Sequence, residues 1–367
     1  MTHCRSTKSR FKRPGLTLVE LVIVIFIIGI LIGMMLPAVR RVGGAAHRST
    51  CMNNIRQLAL ALHNYESAHQ EFPAAMGDQR LVELSSHPDT NRLSGMVLLL
   101  PFLEQNQLWS QISKPSTFGG VDFPAMGAAP WDMRYQPWTK QIPDFLCPAS
   151  PRRKGADFGQ TNYALCIGDT ARGIHNPNQI RGAFGAQLNR MFQDFADGTS
   201  NTIFLVEMGT SEGRRVNSNY AIRQPASFLD EPRKCLSLLD STHPKEFDQR
   251  VGLGALGRGG CWAGGAAGCS LVNTILPPNS PSCSITGNQA GDGFYSAGSF
   301  HVGGIIVVAL ADGSSHTING DIDCGAVDAS PLTESEMADG IRPSPFGVWG
   351  ALGTIAGGEE YSLDDAF

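Results

Sequence analysis

The chain has 367 residues, 42% hydrophobic and 17% charged, a balance that excludes both a disordered segment and a multi-span membrane protein. Its net charge is −4, all 33 acids lie after residue 15, and five of the 29 basic residues (Arg5, Lys8, Arg10, Lys12 and Arg13) lie before it, so the bulk of the chain lacks the basic footprint of a nucleic-acid binder. The 42 glycines and 22 prolines favour a loop-rich body over a helical bundle.

The first element in chain order is the apolar run Leu16 to Leu36, 21 residues with a single charge. As a helix rising about 1.5 Å per residue, it just spans a hydrocarbon core. A secretory signal would carry a small-residue cleavage site after its core. Here Pro37-Ala38-Val39-Arg40-Arg41 follows instead, and the basic stretch before the run ends in Pro14-Gly15. Bases flank both sides (Arg40, Arg41, Arg48 and Arg56 follow), so charge bias alone does not orient the segment.

The octapeptide Arg13-Pro14-Gly15-Leu16-Thr17-Leu18-Val19-Glu20 resembles the cleavage and methylation signal of type IV pilins and type II secretion pseudopilins. The resemblance implies that residues 1–15 are a leader and that prepilin peptidase cuts between Gly15 and Leu16 and methylates the new N-terminus. Residues 16–36 then become a single-pass anchor in the inner (cytoplasmic) membrane. The N-terminus would be cytoplasmic and the C-terminal domain exported to the periplasm or cell surface. Leu16 stands where that family most often has phenylalanine. A carboxylate inside a membrane helix costs roughly 2.5–3.5 kcal/mol and needs a partner. The resemblance supplies one for Glu20: the N-terminal amine of a neighbouring subunit.

Removing the leader takes Cys4 with it and leaves eight cysteines: Cys51, Cys147, Cys166, Cys235, Cys261, Cys269, Cys283 and Cys324. An even number in an exported domain predicts disulfides, at least two, although eight thiols allow 105 pairings. No CxxC pair and no cysteine–histidine spacing typical of zinc occurs.

Residues 37–72 read as a stem, with an amphipathic helix from about Ala45 to Gln70. Ile55, Leu58, Leu62 and Tyr65 make one apolar stripe, and Pro73 ends the helix. The exported globular domain follows over 73–330, then a C-terminal segment over 331–367. Its best strand candidates are Asn201 to Glu207 and Ile305 to Ala311. Shorter apolar runs occur at Met96 to Leu103, Asp144 to Cys147 and Asn162 to Ile167, and a Trp/Pro/Gly-rich connector covers 115–143. Residues 252–293 read as a glycine-rich loop pinned by disulfides through Cys261, Cys269 and Cys283, with Cys235 flanking. The predicted class is α+β and pilin-like: a long N-terminal helix packed on an antiparallel sheet with large insertions. The turn sequence Asp197-Gly198-Thr199-Ser200 is echoed at Asp312-Gly313-Ser314-Ser315, which reads as repeated turn chemistry rather than duplication.

Together these features resemble a large bacterial family of unknown function with a prepilin-type N-terminus and a C-terminal H-x9-DG signature. The matching stretches are residues 51–73, 98–109, 145–150, 161–164, 195–207, 300–314 and 347–360. The signature residues are His301, Asp312 and Gly313, with ten residues between His301 and Asp312 and Val302 where proline is usual. The resemblance implies location and architecture but no activity.

Two catalytic-looking patterns lack their context. Gly252-Leu253-Gly254-Ala255-Leu256-Gly257 fits G-x-G-x-x-G without a strand before it or a helix after it. Gly209-Thr210-Ser211-Glu212-Gly213 fits G-x-S-x-G without the helix that a nucleophile elbow requires. No enzyme and no cofactor are expected. Calcium is the one ligand weighed, at Asp321, Asp323 and Asp328, against a solvated acidic turn. For His301 and Asp312, pairing across a hairpin or plain turn structure is favoured over a metal. The functional expectation is a structural subunit that assembles with itself or other pilin-like subunits through its N-terminal helix, as in a type II secretion-type system. The alternative is a monomeric, membrane-anchored surface protein binding a polymer or protein partner.

Overall fold

The computed structural model describes residues 17–367 except 86, 153, 154, 156, 211, 212, 339–341, 360, 362–364, 366 and 367, and gives only the backbone of 34–42 and 338. The chain divides into two compact units, residues 1–46 and 47–367.

Helix α1 (Leu18–His69) is continuous through Pro37 and the Gly43-Gly44 pair, the long N-terminal helix expected from the sequence. In the first unit it is capped by a T-x-x-E box. Glu20 Oε2 accepts from Thr17 N and Thr17 Oγ1, both at 2.8 Å, and Glu20 N donates to Thr17 Oγ1 at 3.3 Å. The side chains from Leu18 to Ile32 are largely apolar and exposed. Among the described residues no helix is long and apolar enough to cross a membrane. Of the expected span, Leu16 lies outside the described residues and 34–36 lack described side chains.

In the second unit the same helix buries the predicted stripe: Ile55, Leu58, Leu62 and Tyr65, joined by Cys51, Ala59 and Ala61. Burying each large apolar side chain stabilises by about 1.5–3 kcal/mol. The helix stops at His69, and Gln70 takes a positive φ of 65°, so the helix ends three residues ahead of Pro73 in a left-handed cap.

The stripe packs in one cluster with a face of the central sheet. Ten strands are present among the described residues: β1 (Ser116–Phe118), β2 (Val121–Phe123), β3 (Tyr163–Cys166), β4 (Ile203–Glu207), β5 (Tyr220–Ala221), β6 (Leu271–Val272), β7 (Ser282–Ser284), β8 (Gly293–Phe294), β9 (Ile306–Leu310) and β10 (Ser315–Ile318). The central sheet runs β10-β9-β4-β3-β6, antiparallel except for the β3–β6 pair. Both leading strand candidates lie in it, β4 and β9 side by side.

Alternation sorts the side chains between two faces. Tyr163, Leu165, Val307 and Ala309 cluster with the stem, whereas Ala164, Cys166, Ile306, Val308 and Leu310 cluster with Val348, Trp349 and Leu352 of the buried helix Gly347–Gly353. The C-terminal segment is thus part of the core, with Trp349 Nε1 donating to Leu276 O at 3.0 Å. In β4 a register shift between Ile203 and Leu205 puts Phe204 and Leu205 together in the stem cluster, so that Val206 faces away and Glu207 faces back.

Two of the shorter apolar runs and the connector take other forms. Met96 to Leu103 is a buried 3-10 helix (Gly95–Leu103), Pro143–Phe145 is a short 3-10 turn, and the 115–143 connector contains the β1–β2 hairpin, closed by Gly119-Gly120 at positive φ. The echoed Asp-Gly turns prove to be neighbours. Asp312-Gly313 closes the β9–β10 hairpin, and Asp197-Gly198 enters β4 beside it, with Asp312 N donating to Thr199 O (3.1 Å) and Ala311 N to Thr202 O (2.8 Å). Only the first is a hairpin turn.

A smaller sheet, β5-β7-β8, carries Cys283 on its middle strand. Two disulfides join Cys51 to Cys147 and Cys235 to Cys283. Cys166, Cys261, Cys269 and Cys324 are free and buried. The 252–293 region is therefore pinned through Cys283 alone. The Cys261 and Cys269 thiols instead donate to Pro130 O (3.1 Å) and Gln289 Oε1 (3.0 Å).

Candidate functional site: a buried cysteine, glutamate and histidine cluster

Four buried side chains from distant parts of the chain converge beside the stem. Cys51 comes from α1, and Cys147 follows the 3-10 turn Pro143–Phe145. Glu207 ends β4, and His301 lies in the loop before β9. Their ligand atoms all fall within 4.8 Å of one another. His301 Nε2 lies 3.2 Å from Glu207 Oε1 and 3.6 Å from Cys147 Sγ. The Glu207 and His301 side chains are only 1% and 4% exposed.

The surroundings hold each member. Cys147 N donates to Asn162 Oδ1 (2.9 Å), whose Nδ2 donates to Met208 O (3.0 Å), tying the Cys147 loop to the end of β4. Tyr163 Oη donates to Cys51 O (3.2 Å), and Asn54 Nδ2 to Leu146 O (2.8 Å). The second oxygen of Glu207 accepts from Val307 N at 3.1 Å. Burial pushes the Glu207 pKa up, opposed by the hydrogen bond and charge of His301 and by the Val307 N–H.

His301 therefore pairs with Glu207 and not with Asp312, the partner weighed from sequence. The five-residue strand β9 lies between His301 and Asp312, and at about 3.3 Å per residue it carries them to opposite ends of the sheet. Asp312 instead caps its own turn, accepting from Ser314 N at 2.8 Å. Between His301 and β9 lies the Val302-Gly303-Gly304 loop, where both glycines have positive φ and Val302 is 87% exposed. Beside this loop a cavity of about 470 Å³ is walled by His301, Arg215, Lys245, Asn217, Asn279 and Phe300.

Other residues singled out from sequence lie elsewhere. Gly15 and Leu16 are outside the described residues, as is Ser211. Asp328 pairs with Arg233 (3.0 Å), and Asp323 Oδ1 accepts from Gly325 N (2.8 Å). Among the described residues Asp321, Asp323 and Asp328 do not gather into a metal-holding group. Gly254 N donates to Tyr220 O (3.0 Å), which makes the G-x-G-x-x-G stretch a lining of β5. Sequence reasoning missed Glu207 as a site residue. Its signal was a lone acid closing an otherwise apolar strand, Ile203-Phe204-Leu205-Val206-Glu207.

A long N-terminal helix on a sheet, preceded by a processing signal, defines a prepilin-type, pilin-like protein. The prokaryotic N-terminal methylation motif matches residues 10–36. The chain belongs to the family described as a protein of unknown function (DUF1559), whose model matches residues 44–325. No curated protein and no solved structure matches it. The four clustered residues all come from stretches by which the sequence resembles its family: 51–73, 145–150, 195–207 and 300–314.

Proposed function

We propose that this pilin-like protein is a structural subunit that prepilin peptidase processes between Gly15 and Leu16. Residues 16–36 hold it in the inner membrane with its body exported, and it assembles through α1 with itself or other pilin-like subunits in a type II secretion-type pseudopilus. The observation that carries this reading is the methylation motif over 10–36 together with the exposed apolar surface of α1 from Leu18 to Ile32. Apolar surface on that scale needs lipid or a neighbouring helix to cover it. Glu20 lies one turn from the new N-terminus, where a neighbour's amine offsets its charge.

Crosslinking in membranes tests the assembly. Glu20→Ala is expected to insert as the wild type does but to lose most of its crosslinked multimers. Wild-type multimer yields from this variant would refute the role of Glu20. The cavity beside His301, with Arg215 and Lys245 in its wall, favours a second reading, an anchored surface protein that binds an anionic polymer. That reading requires no multimers at all.

A further inference from the structure

We propose that Cys51, Cys147, Glu207 and His301 form a Zn2+ site that opens when the Cys51–Cys147 disulfide is reduced, so that the stem helix is fastened to the body by either a disulfide or a metal. The proposal is independent of the assembly reading.

The donor set is that of a structural zinc site: two thiolates, an imidazole and a carboxylate. Bonds of about 2.3 Å to sulfur and roughly 2.0–2.1 Å to nitrogen and oxygen set donor separations of roughly 3.3–3.8 Å in a tetrahedron. The observed separations of 3.2 Å (His301 to Glu207) and 3.6 Å (His301 to Cys147) are close to these edges. The edge between the two sulfurs must lengthen, and reduction breaks that bond; the remaining edges all lie within 4.8 Å.

The disulfide itself calls for neither of the other two residues, which pair with each other beside it. It is neutral, yet a carboxylate and an imidazole, both almost fully buried, face its sulfurs. Burying a carboxylate costs several kcal/mol unless it is well paired, and a dication offsets that cost directly. The outer contacts of a metal site are also in place. Val307 N–H holds the second Glu207 oxygen, and Asn162 fixes the Cys147 backbone. The cavity of about 470 Å³ that has His301 in its wall brings open space up to one of the four ligands.

The chemistry balances with a dithiol as reductant. Its two thiols supply two electrons and two protons, the Cys51–Cys147 bond becomes two thiols, and the reductant closes to its own disulfide. Zn2+ then displaces the two thiol protons to solvent.

The test uses the full chain in detergent, reduced with a dithiol, desalted without oxygen and titrated with Zn2+ or Co2+. Reduced protein is expected to bind one Zn2+ per chain by elemental analysis. With Co2+ it should show thiolate-to-metal charge transfer and the intense visible bands of tetrahedral coordination, while oxidised protein should show neither. Losing an outer contact of a zinc site costs about 10–100-fold in affinity, so loss of a ligand in His301→Ala or Glu207→Gln should weaken binding by more than about tenfold. His301→Cys keeps a donor in place and covers the case in which His301→Ala does not fold. It should retain tetrahedral Co2+ with stronger charge transfer from a third thiolate. Reduced wild type that takes up no metal, undiminished affinity in folded His301→Ala, or a Co2+ spectrum of His301→Cys unchanged from wild type would each overturn the assignment.

Discussion

Arg258 is only 2% exposed, and its two Nη groups donate to main-chain oxygens, Nη1 to Ala267 O (3.0 Å) and Nη2 to Leu271 O (2.6 Å), while Nε is buried without a hydrogen-bond partner. The guanidinium also lies 5.2 Å over the Tyr295 ring. Burial pulls its pKa down to about 10, still far above neutrality, so the charge persists and is held by carbonyl dipoles and an aromatic face. His175 illustrates the opposite outcome. Neither ring nitrogen has a hydrogen-bond partner or measurable exposure, and burial, followed by the nearby charge of Arg92, lowers its pKa to about 4. Above pH 6.5 the ring is neutral in both folded and unfolded chains, and its contribution to stability is fully present. As pH falls from 6.5 towards 4 only the unfolded chain takes the proton, and stability is lost. Denaturant unfolding of wild type at pH 7 and pH 4.5 should therefore differ by up to about 3 kcal/mol more than the same pair of measurements on His175→Leu. Equal losses in the two proteins would show that His175 does not set the acid sensitivity.

At the scale of elements, the stem is the part whose packing follows most directly from its sequence. Spacing of three and four residues places Ile55, Leu58, Leu62 and Tyr65 on one stripe, and all four are buried. Leu60 falls off that stripe and is 51% exposed. Leu58→Ala should accordingly cost about 2–5 kcal/mol and Leu60→Ala about 0.5 kcal/mol or less. Thermal or denaturant melts of the two variants decide this, and similar costs would mean that the stem is not seated on the sheet as described. Strand β4 was readable as a strand for a different reason, its β-branched and aromatic content. The register shift after Ile203 was not readable, because a bulge is set by what the neighbouring strand offers, here β9. That shift governs which residues accompany Glu207 on the stem face. The run Met96 to Leu103 became a 3-10 helix because Pro101 cannot donate to a ladder, and an apolar run of that length does not by itself separate strand from buried helix.

For the molecule as a whole, the disulfide between Cys51 and Cys147 joins the stem helix to a loop 96 residues away. Closing so long a loop removes on the order of 4–5 kcal/mol of chain entropy from the unfolded state. The proposed cut belongs to this scale too, because it would convert a basic-tailed precursor into a mature chain with 24 basic residues against 33 acids. An intact mass of Gly15→Val should exceed that of the mature wild type by the whole 15-residue leader and lack the added methyl group. Equal masses would refute the proposed cut.

The sequence by itself determined what depends on local order. The motif around Gly15 and Glu20, the stem stripe and its stop before Pro73, the two leading strands and the Asp-Gly turns all follow from spacing, β-content and backbone freedom within a few residues. Only the tertiary structure decided that Cys51, Cys147, Glu207 and His301 meet. They are separated by 96, 60 and 94 positions along the chain, and periodicity says which face a residue presents but not which distant element will cover it. The same reason explains why His301 was matched with Asp312, its neighbour in the signature. A strand keeps its two ends apart, while the sheet and the stem bring Glu207 and the two cysteines to the histidine.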